Sequence, residues 1–390
     1  MISEPPVPQT SVLAVASHVG KQLSRLLLTD YLYSNVGNKI AVFVLQSLGC
    51  DVAALNTVQF SERATVLAPL TNTCNHTGYR QWKGTRVTAQ EITDLWDGLK
   101  QSYLDRFDMM LSGYVPGAAA VEAVGNIAKE LKEKSQAKPG SFFWVLDPVM
   151  GDNGKLYVAD DVVPAYRGLV HLADLILPNQ FEAELLSEVK ITNFASLRTA
   201  IETLHSKFNL PHIVITSVSL PLSAQQATPD SSASSCTTMS VVGSTRTSTG
   251  KSRLFSITFP VFDAYFSGTG DMFAALMVVR MREAVASSCL KDKASWLSDD
   301  DVDALDLPLA KAAEKVLASM HEVLSRTCDA MQAELDAKHV EGPANEEGLS
   351  EEERAKKLHL LKSRAAELRL ARNWGCLRGP TIEYRAVKLE

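Results

Sequence analysis

Gly268-Thr269-Gly270-Asp271, followed at once by the apolar run Met272-Phe273-Ala274-Ala275-Leu276-Met277, is the stretch whose residue types and spacing could do chemistry. Two glycines around a threonine let the backbone turn tightly and present bare N–H groups. The apolar run predicts a buried helix that opens at this turn. A helix N-terminus favours negative charge, because its first N–H groups lack intrahelical partners. A carboxylate beside such an anion hole is an odd device for holding an anion, since like charges repel. It makes sense if Asp271 takes a proton from a hydroxyl while the N–H groups receive a phosphoryl group. The same residues also fit a glycine-capped loop with an aspartate in the first helical turn, and local sequence leaves both readings open.

Three further stretches carry reactive groups. Asp147-Pro148-Val149-Met150-Gly151-Asp152 follows a strongly apolar run. Two carboxylates at a strand end suit Mg²⁺, which takes a few carboxylates together with water and substrate phosphates; a turn preset by Pro and Gly explains them as well. In Pro178-Asn179-Gln180-Phe181-Glu182 the spacing fits a helix N-cap at Asn179 with Glu182 closing a capping box. The functional reading makes Glu182 a ligand to metal-bound water and Asn179 a phosphate or metal-shell contact. His76-Thr77-Gly78-Tyr79 with Trp82-Lys83-Gly84 places an imidazole, hydroxyls and aromatic rings where they could stack on a flat heteroaromatic ligand, or simply be solvated.

These groups need a scaffold. Short apolar runs at Val12–Ala16, Phe107–Leu111, Phe142–Leu146, Asp174–Leu177 and His212–Ile215 read as strands. Helical spacing covers Val36–Leu48, Ala89–Tyr103, Ala118–Lys134, Phe181–Val189 and Phe194–Lys207. Continuous apolar strands alternating with helices predict a parallel sheet covered on both faces, an α/β fold. The runs end in Ser17, Ser112-Gly113-Tyr114, Asp147, Pro178-Asn179 and Thr216-Ser217. In such sheets the ligand crevice lies at the carboxyl ends of the strands, so these residues are expected to converge.

The chain has 390 residues, of which 46% are hydrophobic and 22% charged, with a net charge of -6. That is ample for a large core and argues against nucleic acid or a membrane as the main partner. Cys50, Cys74, Cys236, Cys289, Cys328 and Cys376 are scattered without metal spacing, which predicts reduced thiols and a cytoplasmic setting, with or without a nuclear pool. The Pro-rich start, residues 1–10, reads as a flexible N-terminus and not as a signal peptide. No apolar run approaches the ~20 residues needed to span a bilayer. The Ser/Thr-rich segment 223–252 has the composition of a mobile loop; 291–306 and 341–353 read as surface linkers, the latter before a charged helix near Glu351–Arg372. Gly250-Lys251-Ser252 imitates the end of a P-loop, but Thr245 stands where its first glycine belongs.

In their order along the chain these stretches resemble pyridoxal kinases. The resemblance rests on Ser17-His18-Val19, Val36-Gly37-Asn38-Lys39, Asn56–Ser61, Asn75–Tyr79, Trp82–Gly84, Ser112–Tyr114, Asp147–Asp152, Tyr157-Val158, Ala173-Asp174, Pro178–Leu186, Ile215–Ser217 and Gly268–Asp271. It covers about Val12 to Leu389, including the tail Glu383-Tyr384-Arg385-Ala386. It implies a ribokinase-like three-layer αβα fold made by residues 1–390 as one domain, a homodimer, and transfer of the ATP γ-phosphoryl group to the 5′-hydroxyl of a B6 vitamer. On that pattern Asp271 is the general base, and Gly268, Thr269 and Gly270 form the anion hole. Ser17, Thr77 and Tyr114 contact the vitamin, with Val36 against its ring. Asp147, Asp152, Glu182 and Thr216 surround Mg²⁺ and a monovalent cation, K⁺ or Na⁺. Asn179, Glu182, Thr216, Ser217, Thr269 and Phe262-Asp263-Ala264 face the nucleotide, and 223–252 becomes a flap over ATP.

The chain departs from the pattern at Gly20–Asn35 and Glu62–Cys74, two extra stretches beside vitamin-facing motifs. They are either genuine loops or sequence retained in the gene model. Leu177 stands where the family commonly has Thr, which removes a possible oxygen ligand for the monovalent cation. Two other readings stay open: another small-molecule kinase of this fold, such as one acting on a hydroxymethylpyrimidine, or a catalytically impaired protein that binds B6 vitamers or ATP.

Overall fold

The computed structural model describes residues 7–21, 36–62, 82–220, 238–286, 288–340 and 350–389. The first part of the chain forms β1 (Thr10–Lys21), β2 (Val36–Gly37), α1 (Asn38–Ser47), β3 (Cys50–Glu62), β4 (Trp82–Arg86), α2 (Ala89–Gln101), β5 (Met109–Ser112), α3 (Ala118–Lys134) and β6 (Phe143–Leu146). A small ribbon, β7 (Gly151–Asp152) with β8 (Lys155–Leu156), precedes α4 (Val162–Leu169), β9 (Leu175–Ile176), α5 (Gln180–Ser187), α6 (Phe194–Phe208) and β10 (His212–Val218). Then come β11 (Thr238–Arg246), β12 (Ser252–Pro260), α7 (Thr269–Ala286), α8 (Pro308–Val340), α9 (Glu351–Ala365), α10 (Trp374–Arg378) and β13 (Val387–Lys388).

The main sheet runs β13-β12-β11-β10-β9-β6-β5-β1-β3-β4, with β2 beside β1. Its centre, from β10 through β9, β6, β5 and β1 to β3, is parallel. Both margins are antiparallel, so the sheet is mixed. Alternate residues explain the layers. Val12, Ala14, Phe143 and Val145 point into one core with α1, α7 and α8. Leu13, Val15, Trp144 and Leu146 point into the other, against α2 to α6. This is the expected three-layer α/β arrangement.

Local signals set several helix starts. Thr88 and Glu91 form a capping box at α2, and Asn179 and Glu182 form another at α5. Helix α3 occupies the span its apolar spacing predicts.

Three expectations need correction. Thr238–Arg246 is a strand in the sheet, not part of a mobile loop. Two of its hydroxyls are paired inside the fold: the Ser240 and Thr258 hydroxyls lie 2.8 Å apart, and the Ser244 hydroxyl lies 2.7 Å from His205 Nε2. Gly250-Lys251 belongs to the turn between β11 and β12, in keeping with the missing P-loop glycine at Thr245. The segment 291–306 keeps Lys291, Asp292 and Asp299–Asp301 exposed but is anchored in the core, so it is not a free surface linker. Trp296 is fully buried and stacks on Phe143 with ring centroids 4.1 Å apart. Val36–Gly37 is a short strand, and the helix begins at Asn38. Of the two extra stretches, residues 22–35 and 63–74 lie outside the described residues, as do 75–81. Their ends extend β1 and β3 as a parallel pair, with Gly20 opposite Ser61 and Lys21 opposite Glu62. Residues 221–237 and 341–349 also lie outside.

Two buried histidines pin the antiparallel side to the core. His205 bonds the Leu210 carbonyl at 2.8 Å, and His212 bonds the Thr245 hydroxyl at 2.9 Å and the Ser295 carbonyl at 2.8 Å. Burial pushes each imidazole down to about 4. The unfolded chain therefore binds more protons between about pH 4 and 6.5. Each histidine leaves stability intact above pH 6.5 and erodes it as pH falls toward 4, by about 3 kcal/mol at full effect. Urea titrations at pH 7 and pH 5 are expected to show a smaller acid loss for His212→Gln than for the wild type.

Candidate active site

The central strands end in register. Val15 lies opposite Ser112, Ser112 opposite Leu146, and Leu146 opposite Ile176. The ladder then continues one residue further. Gly113 N–H donates to the Val15 carbonyl at 2.8 Å, Asp147 N–H to Ser112 at 2.8 Å, and Leu177 N–H to Leu146 at 2.9 Å. These bonds set Gly113, Asp147 and Leu177 side by side at the carboxyl edge, as the strand-end rule predicts.

Helix α7 starts against this edge. Gly268 has φ +82°, a left-handed conformation that favours glycine, and its carbonyl accepts the Met272 N–H at 3.0 Å. Asp271 sits in the first turn. Its Oδ2 accepts the Gly37 N–H at 2.8 Å, across 234 residues of sequence. A methyl group on Gly113 would lie 4.0 Å from Asp271 Oδ1, and one on Gly270 3.9 Å from Asp147 Oδ2. Two carboxylates therefore flank the positive end of one helix.

Burial pushes the Asp271 carboxyl up to about 6, with the Gly37 N–H pulling the other way. Asp147 is driven well above the usual carboxylate range by burial, then by the charges of Glu182 and Asp271. Glu182 is pushed up to about 7 by burial, against three N–H donors that favour its charge. Those donors are Asn179 to Oε2 at 2.9 Å, and Met150 and Gly151 to Oε1 at 2.8 and 3.3 Å. Asn179 Nδ2 donates in turn to the Gly151 carbonyl at 2.7 Å. The capping box of α5 thus also ties down the loop after β6.

A cleft of about 240 Å³ opens over these groups. Ser17, Val36 and Tyr114 line one part; Asp147, Asp152, Asn179, Glu182 and Thr216 line another; Gly268, Thr269, Gly270 and Asp271 close it. Ser217, Phe262, Asp263 and Ala264 do not line it, and Thr77, with the rest of the His76–Tyr79 motif, lies outside the described residues. The sequence reading gave no role to Tyr157, Tyr265, Phe266 and Ser267, which also line the cleft. Three of them directly precede Gly268, and that adjacency was the available signal. A larger cleft of about 830 Å³ lies toward the other end of α7, beside Arg280, Glu283, Lys311 and Lys315. Its charges pair with one another, Lys315 with Glu283 at 2.8 Å and Arg280 with Glu283 at 2.7 Å, and it holds none of the strand-end groups.

Among the described residues no three His, Cys, Asp or Glu side chains gather as a ready metal cage. Mg²⁺ does not need one, because it keeps waters and borrows substrate oxygens. Buried Asp147, crowded by the charges of Glu182 and Asp271, is a donor set that such a cation fits.

Comparison with known proteins decides the family. A model of the phosphomethylpyrimidine kinase family matches residues 108–283. Pyridoxal kinase from Ovis aries is 34% identical over 327 residues, covering 83% of this chain and 86% of its own. The chain belongs to the pyridoxal kinase family. Pyridoxal kinase from Homo sapiens is 32% identical over 332 residues, covering 83% of this chain and 87% of its own. Among solved structures, pyridoxal kinase from Leishmania donovani in complex with ADP and pyridoxamine matches with a TM-score of 0.68 at 26% identity, covering 98% of this chain and all of that one. That match carries the same mixed sheet with helices on both faces, the ribokinase-like α/β fold that the family resemblance implies.

Proposed function

We infer that this chain transfers the γ-phosphoryl group of ATP to the 5′-hydroxyl of pyridoxal, pyridoxine or pyridoxamine. The observation that carries the reading is Asp271, half-buried in the first turn of α7 with a Gly37 N–H on its carboxylate and the cleft in front of it. Phosphoryl transfer has a loose transition state, so the protein's work is alignment and charge neutralisation. Asp271 takes the hydroxyl proton, and its pKa of about 6 leaves it ionised yet basic at neutral pH. The N–H groups of Gly268, Thr269 and Gly270 receive the charge that develops on the phosphoryl oxygens. Ser17, Val36, Tyr114 and Thr77 hold the vitamin. Asn179, Thr216, Ser217 and Phe262–Ala264 attend the nucleotide.

Asp147 and Asp152 would hold Mg²⁺, with Glu182 and Thr216 completing the polar lining around it. When bound, Mg²⁺ neutralises phosphate charge. Leu177 lines the cleft with an alkyl group and offers no side-chain oxygen to K⁺ or Na⁺. Cys50, Cys289, Cys328 and Cys376 are free thiols, in keeping with a cytoplasmic protein. No helix among the described residues is long and apolar enough to cross a membrane. A homodimer belongs to this reading and is checked by light scattering.

The phosphomethylpyrimidine kinase match supports a second reading, a hydroxymethylpyrimidine acceptor. The deciding assay mixes purified protein, ATP and Mg²⁺ with each B6 vitamer and with hydroxymethylpyrimidine. Phosphorylated vitamer is the expected product. Turnover of the pyrimidine alone would move the assignment, and binding without any product would mark an impaired protein.

A further inference from the structure

The stretch from Tyr384 to Lys388 lies close to the loop that precedes α7. Residues 261–268, between β12 and α7, carry no helix or strand. Yet Tyr265, Phe266 and Ser267 line the cleft, and Gly268 opens the anion hole. A loop of this kind keeps its position only if something outside it holds it. Its Phe262 ring lies 5.0 Å from the His321 ring of α8, and edge-on to Phe266 at 6.4 Å. His321 is itself held by the tail: its Nε2 is 3.0 Å from the Tyr384 hydroxyl, and the two rings meet edge to face at 4.9 Å.

The chain is tied down directly after Tyr384. Buried Glu314 accepts the Ala386 N–H at 2.9 Å and an Arg385 guanidinium N–H at 3.2 Å. Lys388 pairs with Asp303 at 2.6 Å, and β13 adds to the sheet beside β12. Tyr384 is thus anchored through the neighbouring backbone, and its side chain is left to hold the His321 ring.

We propose that Tyr384 and His321 are positioning residues for the nucleotide side of the site, bracing Phe262 and through it the Tyr265–Gly268 stretch. The inference rests on the reading that Phe262–Ala264 faces the nucleotide. Small misplacements of binding groups are costly to turnover, and one passed through two rings is felt as weaker nucleotide binding.

The test is steady-state kinetics on the full chain with ATP and pyridoxal varied separately. Tyr384→Phe is expected to raise KM for ATP by roughly 3- to 10-fold, on the scale of a lost hydrogen bond. KM for pyridoxal should stay near the wild-type value. His321→Phe keeps a ring against Phe262 but loses the hydrogen bond, so adding Tyr384→Phe to it should cost nothing further, the signature of a coupled pair. Phe262→Ala tests the reading beneath. If Phe262→Ala raises KM for ATP and Tyr384→Phe does not, the brace is wrong while the nucleotide-side reading stands. If neither variant moves it, both fail. Equal losses for both substrates would reduce Tyr384 to a general structural role and overturn the proposal.

Discussion

Asp271→Asn is expected to lower kcat by about 10²- to 10⁴-fold, the usual share of a positioned general base. The substitution is nearly isosteric, and the amide oxygen can still accept the Gly37 N–H that holds Oδ2 at 2.8 Å. What it cannot do is take a proton. Ligand affinity should therefore persist while turnover fails. The pH profile follows from the same group. Burial pushes the Asp271 carboxyl up to about 6, and only its ionised form is a base. The wild-type kcat/KM should fall as pH drops below about 6, and the residual activity of the Asn variant should lack that limb. Stability should move the other way. A half-buried acid with a raised pKa is penalised when it ionises, here by about 3 kcal/mol at pH 7, and the neutral amide removes that penalty. A variant that turns over at the wild-type rate would dismiss Asp271 as the base.

That the carboxylate could be found from sequence, and its clamp could not, follows from what each signal contains. Apolar runs bounded by polar residues report strand ends, because a central parallel strand is buried on both faces. Phe142–Leu146 and Ser112–Tyr114 were legible for that reason, and the strand-end rule then brought Ser17, Asp147, Asn179 and Thr216 to one edge. Composition misled at Thr238–Arg246, where hydroxyl-rich sequence looked solvated. In the fold its hydroxyls bond His205, His212 and Thr258, partners that lie elsewhere in the chain. The same holds for 291–306, whose polar residues surround one fully buried tryptophan. The contact between Gly37 and Asp271 spans 234 positions and uses a backbone donor, so no side-chain pattern announces it. Only the glycine itself hints at something, since it interrupts a run that otherwise reads as helix.

Gly37→Ala is the second large effect. The residue has φ +67°, where an L side chain is strained, and a methyl group there would sit 1.9 Å from the Ser17 carbonyl oxygen and 2.4 Å from its hydroxyl. No rotamer relieves an overlap made by Cβ, so the backbone between β2 and α1 must move. Strain and displacement together should cost more than ~2 kcal/mol of stability. The functional loss has a separate origin. Moving Gly37 withdraws its N–H from Asp271 and shifts Ser17 at the same time, so base and acceptor wall lose registry. A misplacement of about 1 Å near a reacting centre can cost on the order of 10²-fold, and kcat/KM for pyridoxal is expected to fall at least that far. Gly98→Ala provides the contrast. It lies inside α2 with nothing within 4 Å of the added methyl, so it should leave activity alone and add about 0.5–1 kcal/mol of stability. If Gly37→Ala kept wild-type kcat/KM while merely melting earlier, the clamp on Asp271 would be a packing contact, and the base would be held by α7 alone.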